Sequence, residues 1–194
     1  RRVLFRSFKL ISGEASVDVS KFGGHGNPFR INQCGMKQYP AVVFTQTAIS
    51  AGKAVAEEIA KGASDKVAAL EKITAIEIAT SKRGLIQTGT DREKWSPTTR
   101  ETADHSMPYI TARAMFDGDI TNDSYAPEKL KDPRILAFMQ KIKVAEDPVL
   151  TARTGGAVPT RITAIMPDGR RVTRRSEEHT SELQSRLHLV CRLL

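Results

Sequence analysis

The sequence predicts a small α+β domain with a few strands and three to four helices. Apolar residues recur at helical spacing in residues 38–61 and again in residues 132–144, whereas residues 73–80 alternate apolar and polar side chains. Near the C-terminal end, two β-rich segments flank Pro167-Asp168-Gly169, which is typical of a hairpin turn. Because helices and strands do not alternate regularly, the pattern favours α+β over a doubly wound sheet.

The first half of the chain predicts one long helix and one strand. The helix carries an apolar face that includes Ala48, Val55 and Ile59, and Gly62 ends it. The strand places Ile76 and Ile78 on one face. In chain order the predicted elements are an irregular glycine-rich segment with one or two short strands (8–32), a helix (38–61), a short turn (64–70), a strand (73–80) and a polar loop (81–97).

The segment that follows contains the most acid–base chemistry and leaves two structures open. Thr98 and Glu101, behind Pro97, have the spacing of a capping box and predict a helix start. Pro108 then either kinks one continuous helix, or lies in the first turn of a new helix that Ser106 caps. The helical stretch stops at Gly118, and the predicted helix 132–144 and hairpin 161–166/170–174 complete the domain.

The two ends of the chain resemble translated adapter DNA. Residues 1–7 (RRVLFRS) and 175–181 (RSEEHTS) can be encoded by the two complementary strands of one segment, AGACGTGTGCTCTTCCGATCT. A folded protein has no reason to carry both strands. We therefore interpret residues 1–7 and 175–194 as non-native, adapter-derived sequence, and residues 8–174 as the native domain.

Setting these ends aside changes the composition and excludes several classes of site. Residues 1–7 carry three arginines and no acid, and residues 175–194 balance three arginines with three glutamates, so the formal charge falls from +8 to +5. The one remaining cysteine, Cys34, excludes a disulfide framework, a four-cysteine zinc site and a cysteine-ligated iron–sulfur cluster within this segment. A mildly basic chain without a Lys/Arg stripe argues against nucleic-acid binding, and no apolar run reaches the ~20 residues that span a bilayer.

His105 is the leading candidate for acid–base chemistry, because imidazole exchanges protons near neutral pH. If the helix is continuous, His105, Tyr109 and Ala112 share one face, and a hydroxyl lies beside the imidazole. If a new helix begins at Ser106, His105 lies at a helix N-terminus, where a carboxylate is stabilised. A histidine that only hydrogen-bonds a helix start is the structural alternative.

Lys37 is the second candidate, because it lies in the MKQYP segment, which Pro40 favours as extended chain. Its ammonium can bind a carboxylate there, and an ordinary surface lysine is the alternative. His25, between Gly24 and Gly26, is interpreted as a loop histidine. Cys34 is interpreted as a small buried hydrophobe.

Several motifs together resemble one protein family. They are KWSPTTRETADHSMPYITARAMFDGDIT (94–121), FRINQCGMKQYPAVVFTQTAISA (29–51), DPRILAFMQKIKVAEDP (132–148) and the PDGRRVTRR hairpin (167–175). This order and spacing resemble the C-terminal part of the MmgE/PrpD family, which includes 2-methylcitrate dehydratases and cis-aconitate decarboxylases. The resemblance covers nearly all of residues 8–174.

The resemblance implies a two-domain enzyme of which this chain is one part. In that family a large all-helical domain pairs with a smaller α+β lid domain, and the active site lies between them. This chain resembles most of the lid domain, so the implied partners are a missing N-terminal helical domain, a second copy in a homodimer and a small tricarboxylate substrate. The implied location is the cytoplasm.

The implied activity is the removal of water from a hydroxy-tricarboxylate such as 2-methylcitrate, in propionate catabolism. The resemblance implies acid–base chemistry without a metal or cofactor. Decarboxylation of cis-aconitate, epimerisation of another polycarboxylate, or an inert lid domain are the alternatives that the sequence leaves open.

The resemblance also implies roles for individual residues. Lys37 matches the family's active-site lysine and holds negative charge as it develops. His105, Ser106 and Tyr109 match the helix motif, and His105 with Tyr109 either assists proton transfer or orients the substrate. The predicted substrate contacts are Ser106, Arg100 and Gln46.

Overall fold

The computed structural model describes residues 22–33, 37–153 and 158–177. Residues 1–7 and 178–194, which contain most of the predicted adapter sequence, and Cys34 lie outside the described residues. The chain divides between residues 36 and 37 into two compact units. In the first unit, Gly24 and Asn27 exchange two backbone hydrogen bonds of 3.0 Å around His25, whose φ is +50°. His25 therefore lies in a tight turn, as the loop interpretation predicts.

The second unit contains eight helices and four strands among its described residues, which confirms the α+β prediction. In chain order these are α1 Gln46–Ala60, α2 Lys66–Glu71, β1 Ala75–Thr80, α3 Lys82–Thr88, α4 Arg100–Asp104, α5 Met107–Asp117, α6 Pro127–Leu130, α7 Pro133–Met139, β2 Ile142–Glu146, α8 Pro148–Thr151, β3 Thr160–Ile165 and β4 Arg171–Ser176. Short 3-10 turns of this unit occupy Val43–Thr45, Arg92–Trp95 and Asn122–Tyr125, and the first unit has one at Arg30–Gln33.

The four strands form one mixed sheet in the order β2-β1-β3-β4. β1 is parallel to β2 and antiparallel to β3, and β3 and β4 form the predicted hairpin. Gly169, with φ of +80°, supplies the positive φ that this turn requires. Because parallel strands need a long crossover, helices α3 to α7 lie between β1 and β2 in the sequence.

The core lies where α1 packs against α5 and against β3 and β4. Ile76 and Ile78 of β1 are buried, as the alternation predicts. Across the sheet they lie opposite Ala164 and Ile162 of β3, which are buried too. This packing makes α1 and α5 the rigid elements that carry the segments of chemical interest.

Two predicted elements are wrong, and both errors come from short segments. The predicted loop 81–97 contains α3, which Ser81 caps by accepting a hydrogen bond from Gly84 N at 3.2 Å, and a 3-10 turn at Arg92–Trp95. The predicted helix 132–144 ends at Met139, because Ile142–Glu146 pairs with β1 as a strand. Tertiary pairing therefore overrides local helical periodicity there.

β4 continues to Ser176, two residues beyond the predicted native boundary at residue 174. Arg175 lies opposite Arg161 of β3, and Glu177 forms ion pairs with Arg153 and Arg175. Any sequence of suitable length can extend a strand by backbone hydrogen bonds, so this pairing does not tell whether residues 175 and 176 are native or adapter-derived. The boundary at residue 174 stays a prediction.

Candidate functional site

The helix that carries His105 breaks at Ser106, which decides between the two predicted structures. α4 ends at Asp104, and His105 is its C-terminal cap residue. Ser106 is extended, and its Oγ accepts a hydrogen bond from Tyr109 N at 3.1 Å, so that α5 begins anew with Pro108 in its first turn. At the start of α4, Thr99 caps the helix by accepting a hydrogen bond from Thr102 N. The predicted capping box of Thr98 and Glu101 is therefore wrong by one residue.

Both contacts described for the imidazole of His105 are made by one ring nitrogen, Nδ1. Its Nδ1 contacts the carboxylate of Asp104 and lies 3.1 Å from the backbone carbonyl oxygen of Glu101. Because both partners are acceptors, the neutral ring carries its proton on Nδ1 and leaves Nε2 able to accept one. The side chain of His105 is 46% exposed. The two contacts at Nδ1 orient the ring, and nearly half of the side chain stays exposed.

Gln46 holds the backbone that follows Lys37. Its Oε1 accepts hydrogen bonds from Gln38 N at 3.1 Å and Tyr39 N at 3.0 Å, and its Nε2 donates to Tyr39 O at 3.0 Å and Ala41 O at 3.1 Å. Gln46 is buried, whereas Lys37 is exposed. The four bonds explain how an irregular segment keeps one shape beside α1. The predicted contact of Gln46 with substrate stays a prediction.

Backbone and side-chain contacts draw this segment toward α4 and the loop after α5. Val42 N donates to Asp104 O at 3.1 Å, and the Tyr125 hydroxyl donates to Pro40 O at 2.8 Å. Arg100, which is exposed, lies with its guanidinium 5.6 Å from the Tyr125 ring centroid and donates to Asn122 Oδ1 at 2.9 Å. These contacts join the segments that carry Lys37, Arg100 and His105, but none of these three predicted site residues lines the cleft that opens nearby.

A cleft of about 510 Å³ opens beside this meeting point. Its lining residues come from residues 38–40, from α1 and from the loop after α5, and they are Gln38, Tyr39, Pro40, Lys53, Asp119, Ile120, Thr121 and Asn122. The sequence reasoning missed Lys53, Asp119 and Asn122. A usable signal existed for Lys53, which is the single basic residue within α1.

Tyr109 and Ser106 lie in the interior. The Tyr109 hydroxyl donates to Ser124 O at 2.6 Å, and the Ser106 hydroxyl donates to Lys94 O. Burial raises the pKa of Tyr109, although Arg113 beside it acts in the opposite direction. As described, both hydroxyls serve the framework of α5, and their predicted roles toward substrate stay predictions.

We expect the buried tyrosines to make the domain less stable at alkaline pH. Burial raises the pKa of Tyr125 as well, with the negative charge of Asp104 adding to the effect. In the unfolded chain a tyrosine ionises near pH ~10, so above that pH the unfolded state loses protons that the folded state retains. The free energy of unfolding should therefore fall as the pH rises past about 10.

Urea unfolding at several pH values between 8 and 11 measures this effect. Tyr125→Phe removes one of the two groups, so its stability should decline less steeply with pH than that of the unsubstituted chain. The comparison concerns the slopes, because the lost hydrogen bond to Pro40 O lowers the stability of the variant at every pH. Equal slopes would contradict the assignment.

Two further properties concern the described part of the chain alone. Within it, no group of three or more His, Cys, Asp or Glu side chains is placed to hold a metal ion. No helix in the same residues has the length and apolar character needed to cross a membrane.

Comparison with known proteins gives one consistent result. Residues 39–185 match the model of the MmgE/PrpD C-terminal domain. The chain is 30% identical over 142 residues to the 2-methylcitrate dehydratase of Salmonella typhimurium, and 29% identical over 143 residues to that of Escherichia coli K12. Each alignment covers 69% of this chain and 27% of the relative. The mitochondrial 2-methylcitrate dehydratase of Yarrowia lipolytica is 32% identical over 114 residues, which are 56% of this chain and 20% of that protein.

The chain thus spans about a quarter of the length of these relatives. The alignments place it against one part of each enzyme. The family match begins at residue 39, just after Lys37, and ends at residue 185.

Proposed function

This chain belongs to the MmgE/PrpD family, and from that premise we propose that it forms one wall of the active site of a lyase. The proposed reaction removes water from a hydroxy-tricarboxylate, with 2-methylcitrate as the first candidate. The names of the curated relatives support this substrate. Since the chain spans about a quarter of their length, the other wall of the site is proposed to come from residues outside this sequence.

The observation that carries the proposal is the meeting of three segments beside one cleft. Residues 37–42, α4 with the adjoining His105, and the loop 119–125 are joined by the hydrogen bonds of Val42, Tyr125 and Arg100. The side chains of Lys37, Arg100 and His105 on these segments are exposed, and none of the three is among the residues that line the cleft. We propose that a bound polycarboxylate engages these two cations and this base together, because its dehydration requires positive charge and a base.

The chemistry divides into two tasks. A base removes the proton from the carbon next to a carboxylate, and an acid delivers a proton to the departing hydroxyl as water. His105 suits the first task, because the Asp104 carboxylate and the Glu101 carbonyl occupy Nδ1 and leave Nε2 as the acceptor. Lys37 and Arg100 suit the binding of the carboxylates on which negative charge builds. The acid is proposed to lie outside this chain.

The complete protein is proposed to carry a helical domain over this cleft and to form a homodimer. The support is the family membership and the short span of the chain relative to its relatives. On this proposal the 194-residue chain alone shows no turnover, because it lacks the acid and the opposite wall.

An activity assay tests the proposal. The full-length gene product is expected to convert 2-methylcitrate into the corresponding unsaturated tricarboxylate, followed by the rise in ultraviolet absorbance as the double bond forms. Citrate and cis-aconitate serve as comparison substrates that separate dehydration from decarboxylation. Absence of lyase activity on all three would remove the proposal, and turnover by the 194-residue chain alone would show that the site is complete within it.

A further inference from the structure

Lys53 is the one lysine that lines the cleft, among the residues that the structure describes. It projects from α1, and its Nζ lies 5.6 Å from the centroid of the Tyr39 ring and 3.6 Å from Oδ1 of Asp119. The side chain of Lys53 is 28% exposed and that of Asp119 is 58% exposed. The ring thus fixes the position of a cation that remains accessible from the cleft.

The pairing of Lys53 with Asp119 is easily exchanged. At 3.6 Å, with a largely exposed carboxylate, this ion pair is weak because water screens the charges. Oδ1 of Asp119 also accepts a hydrogen bond from Ile120 N at 2.9 Å. Asp119 therefore keeps a partner when Lys53 turns to a different carboxylate.

Asn122 adds a second group to the rim of the same cleft. Its Oδ1 accepts the hydrogen bond from Arg100. An amide whose oxygen is engaged offers its Nδ2 as a donor, which suits a carboxylate or a hydroxyl oxygen. Through this contact the guanidinium of Arg100 also lies close to the cleft.

We propose that Lys53 and Asn122 form a subsite for one carboxylate of a hydroxy-polycarboxylate, and that this carboxylate displaces Asp119 from Lys53. The inference rests on the proposed function and deepens it, because it names a residue that determines substrate specificity. Asp119 then acts as an internal competitor, which occupies Lys53 when substrate is absent. The arrangement favours ligands whose carboxylate binds Lys53 better than Asp119 does.

Two substitutions of opposite expected effect test the subsite in the full-length gene product. Lys53→Gln removes the cation and should raise KM for 2-methylcitrate and the dissociation constant for tricarballylate, a tricarboxylate without a hydroxyl to lose, by about tenfold. Asp119→Asn removes the competitor and should lower both constants. Lys53→Arg keeps the charge and should restore most of the affinity. In all three variants kcat should stay within about threefold, as binding alone is affected.

The matched control is Lys61→Gln, which removes an exposed lysine just beyond the end of the same helix and should change neither constant. Equal weakening by Lys61→Gln and Lys53→Gln would reduce the effect to general surface charge and overturn the subsite. Suppose that the unsubstituted enzyme dehydrates 2-methylcitrate, and that Lys53→Gln and the unsubstituted enzyme bind tricarballylate with equal affinity. That result overturns the subsite and leaves the proposed function in place. If the unsubstituted enzyme neither binds tricarballylate nor acts on the substrate, the proposed function fails with it.

Discussion

Replacing Arg113 with leucine is expected to lower the free energy of unfolding by about 3 kcal/mol. Arg113 is 1% exposed, although it carries a full charge inside α5. Its NH1 pairs with Asp117 and Asp132, each at 3.4 Å, and its NH2 donates to Lys129 O at 3.4 Å. Leucine removes the guanidinium from three acceptors at once, and leaves the partly exposed carboxylates of Asp117 and Asp132 with only Lys129 and Arg134 as charged partners. Removing one partner of a largely buried ion pair costs more than the intact pair contributes.

The chain offers a matched control for this prediction. Arg134 contacts the same carboxylate oxygen of Asp132 at 3.7 Å, but half of its side chain is exposed. Arg134→Leu should therefore change stability by less than about 1 kcal/mol. Urea unfolding followed by circular dichroism measures both variants. A loss for Arg113→Leu no larger than that for Arg134→Leu would contradict a central role for the buried pair.

The prediction concerns function because Arg113 ties α5 to the start of α7. Asp132 accepts from Arg113 and also caps α7 through Arg134 N at 3.0 Å. The Tyr109 hydroxyl accepts a hydrogen bond from Arg113 Nε at 3.5 Å. It donates one to the backbone oxygen of Ser124, which precedes Tyr125. Through Tyr109, the buried guanidinium of Arg113 thus helps to hold the loop 119–125, whose first residues line the cleft.

The sequence predicts correctly those elements that depend on neighbouring residues, and it fails where an element depends on contacts with distant residues. The alternation around Ile76 and Ile78, the apolar face of α1 and the turn at Gly169 each depend on residues a few positions apart. The strand β2 is different, because residues 142–146 become a strand only by pairing with β1 some sixty residues earlier. The same segment has apolar residues at positions that also suit a helix, so no local pattern separates the two.

The candidate site shows the same division. His105 and Lys37 are visible in the sequence because their residue types and neighbours suggest chemistry. The sequence does not reveal the cleft, since the cleft forms only where residues 38–40, α1 and the loop 119–122 come together. In the sequence, nothing distinguishes Asp119 from the other acidic loop residues, because its contact with Lys53 appears only in the folded structure. The sequence alone does not decide whether Pro108 kinks a helix or lies in the first turn of a new one, because both structures satisfy the local rules.

Replacing His105 with glutamine in the full-length gene product is expected to lower kcat for dehydration by about 10²–10⁴-fold. Glutamine retains a polar side chain of similar reach but cannot take the proton. KM should change little, because His105 is assigned to the chemical step and not to binding. Lys37→Ala is expected to lower kcat/KM by a comparable factor, through loss of the cation that holds developing charge.

The contact between His105 and Asp104 makes the assignment more specific. Asp104→Asn keeps the size of the side chain but no longer holds the Nδ1 proton with a full negative charge, and it should lower kcat about tenfold or more. Glu101→Gln is the control, because Glu101 contacts His105 through its backbone carbonyl, which the substitution leaves in place. Nitrogen chemical shifts of the His105 ring report the tautomer independently of activity. We expect the Nδ1-protonated form in the unsubstituted protein and a more even mixture in Asp104→Asn.

These measurements separate a catalytic histidine from one that only completes the end of α4. A structural histidine predicts that His105→Gln lowers stability and leaves kcat within about threefold once the folded fraction is taken into account. If His105 is the base, His105→Gln should lower kcat and leave stability nearly unchanged. The proton on the substrate carbon next to the carboxylate should then no longer exchange with solvent deuterium. If exchange continues in His105→Gln at the original rate, another residue removes the proton, and Asp104 and His105 belong to the helix end alone.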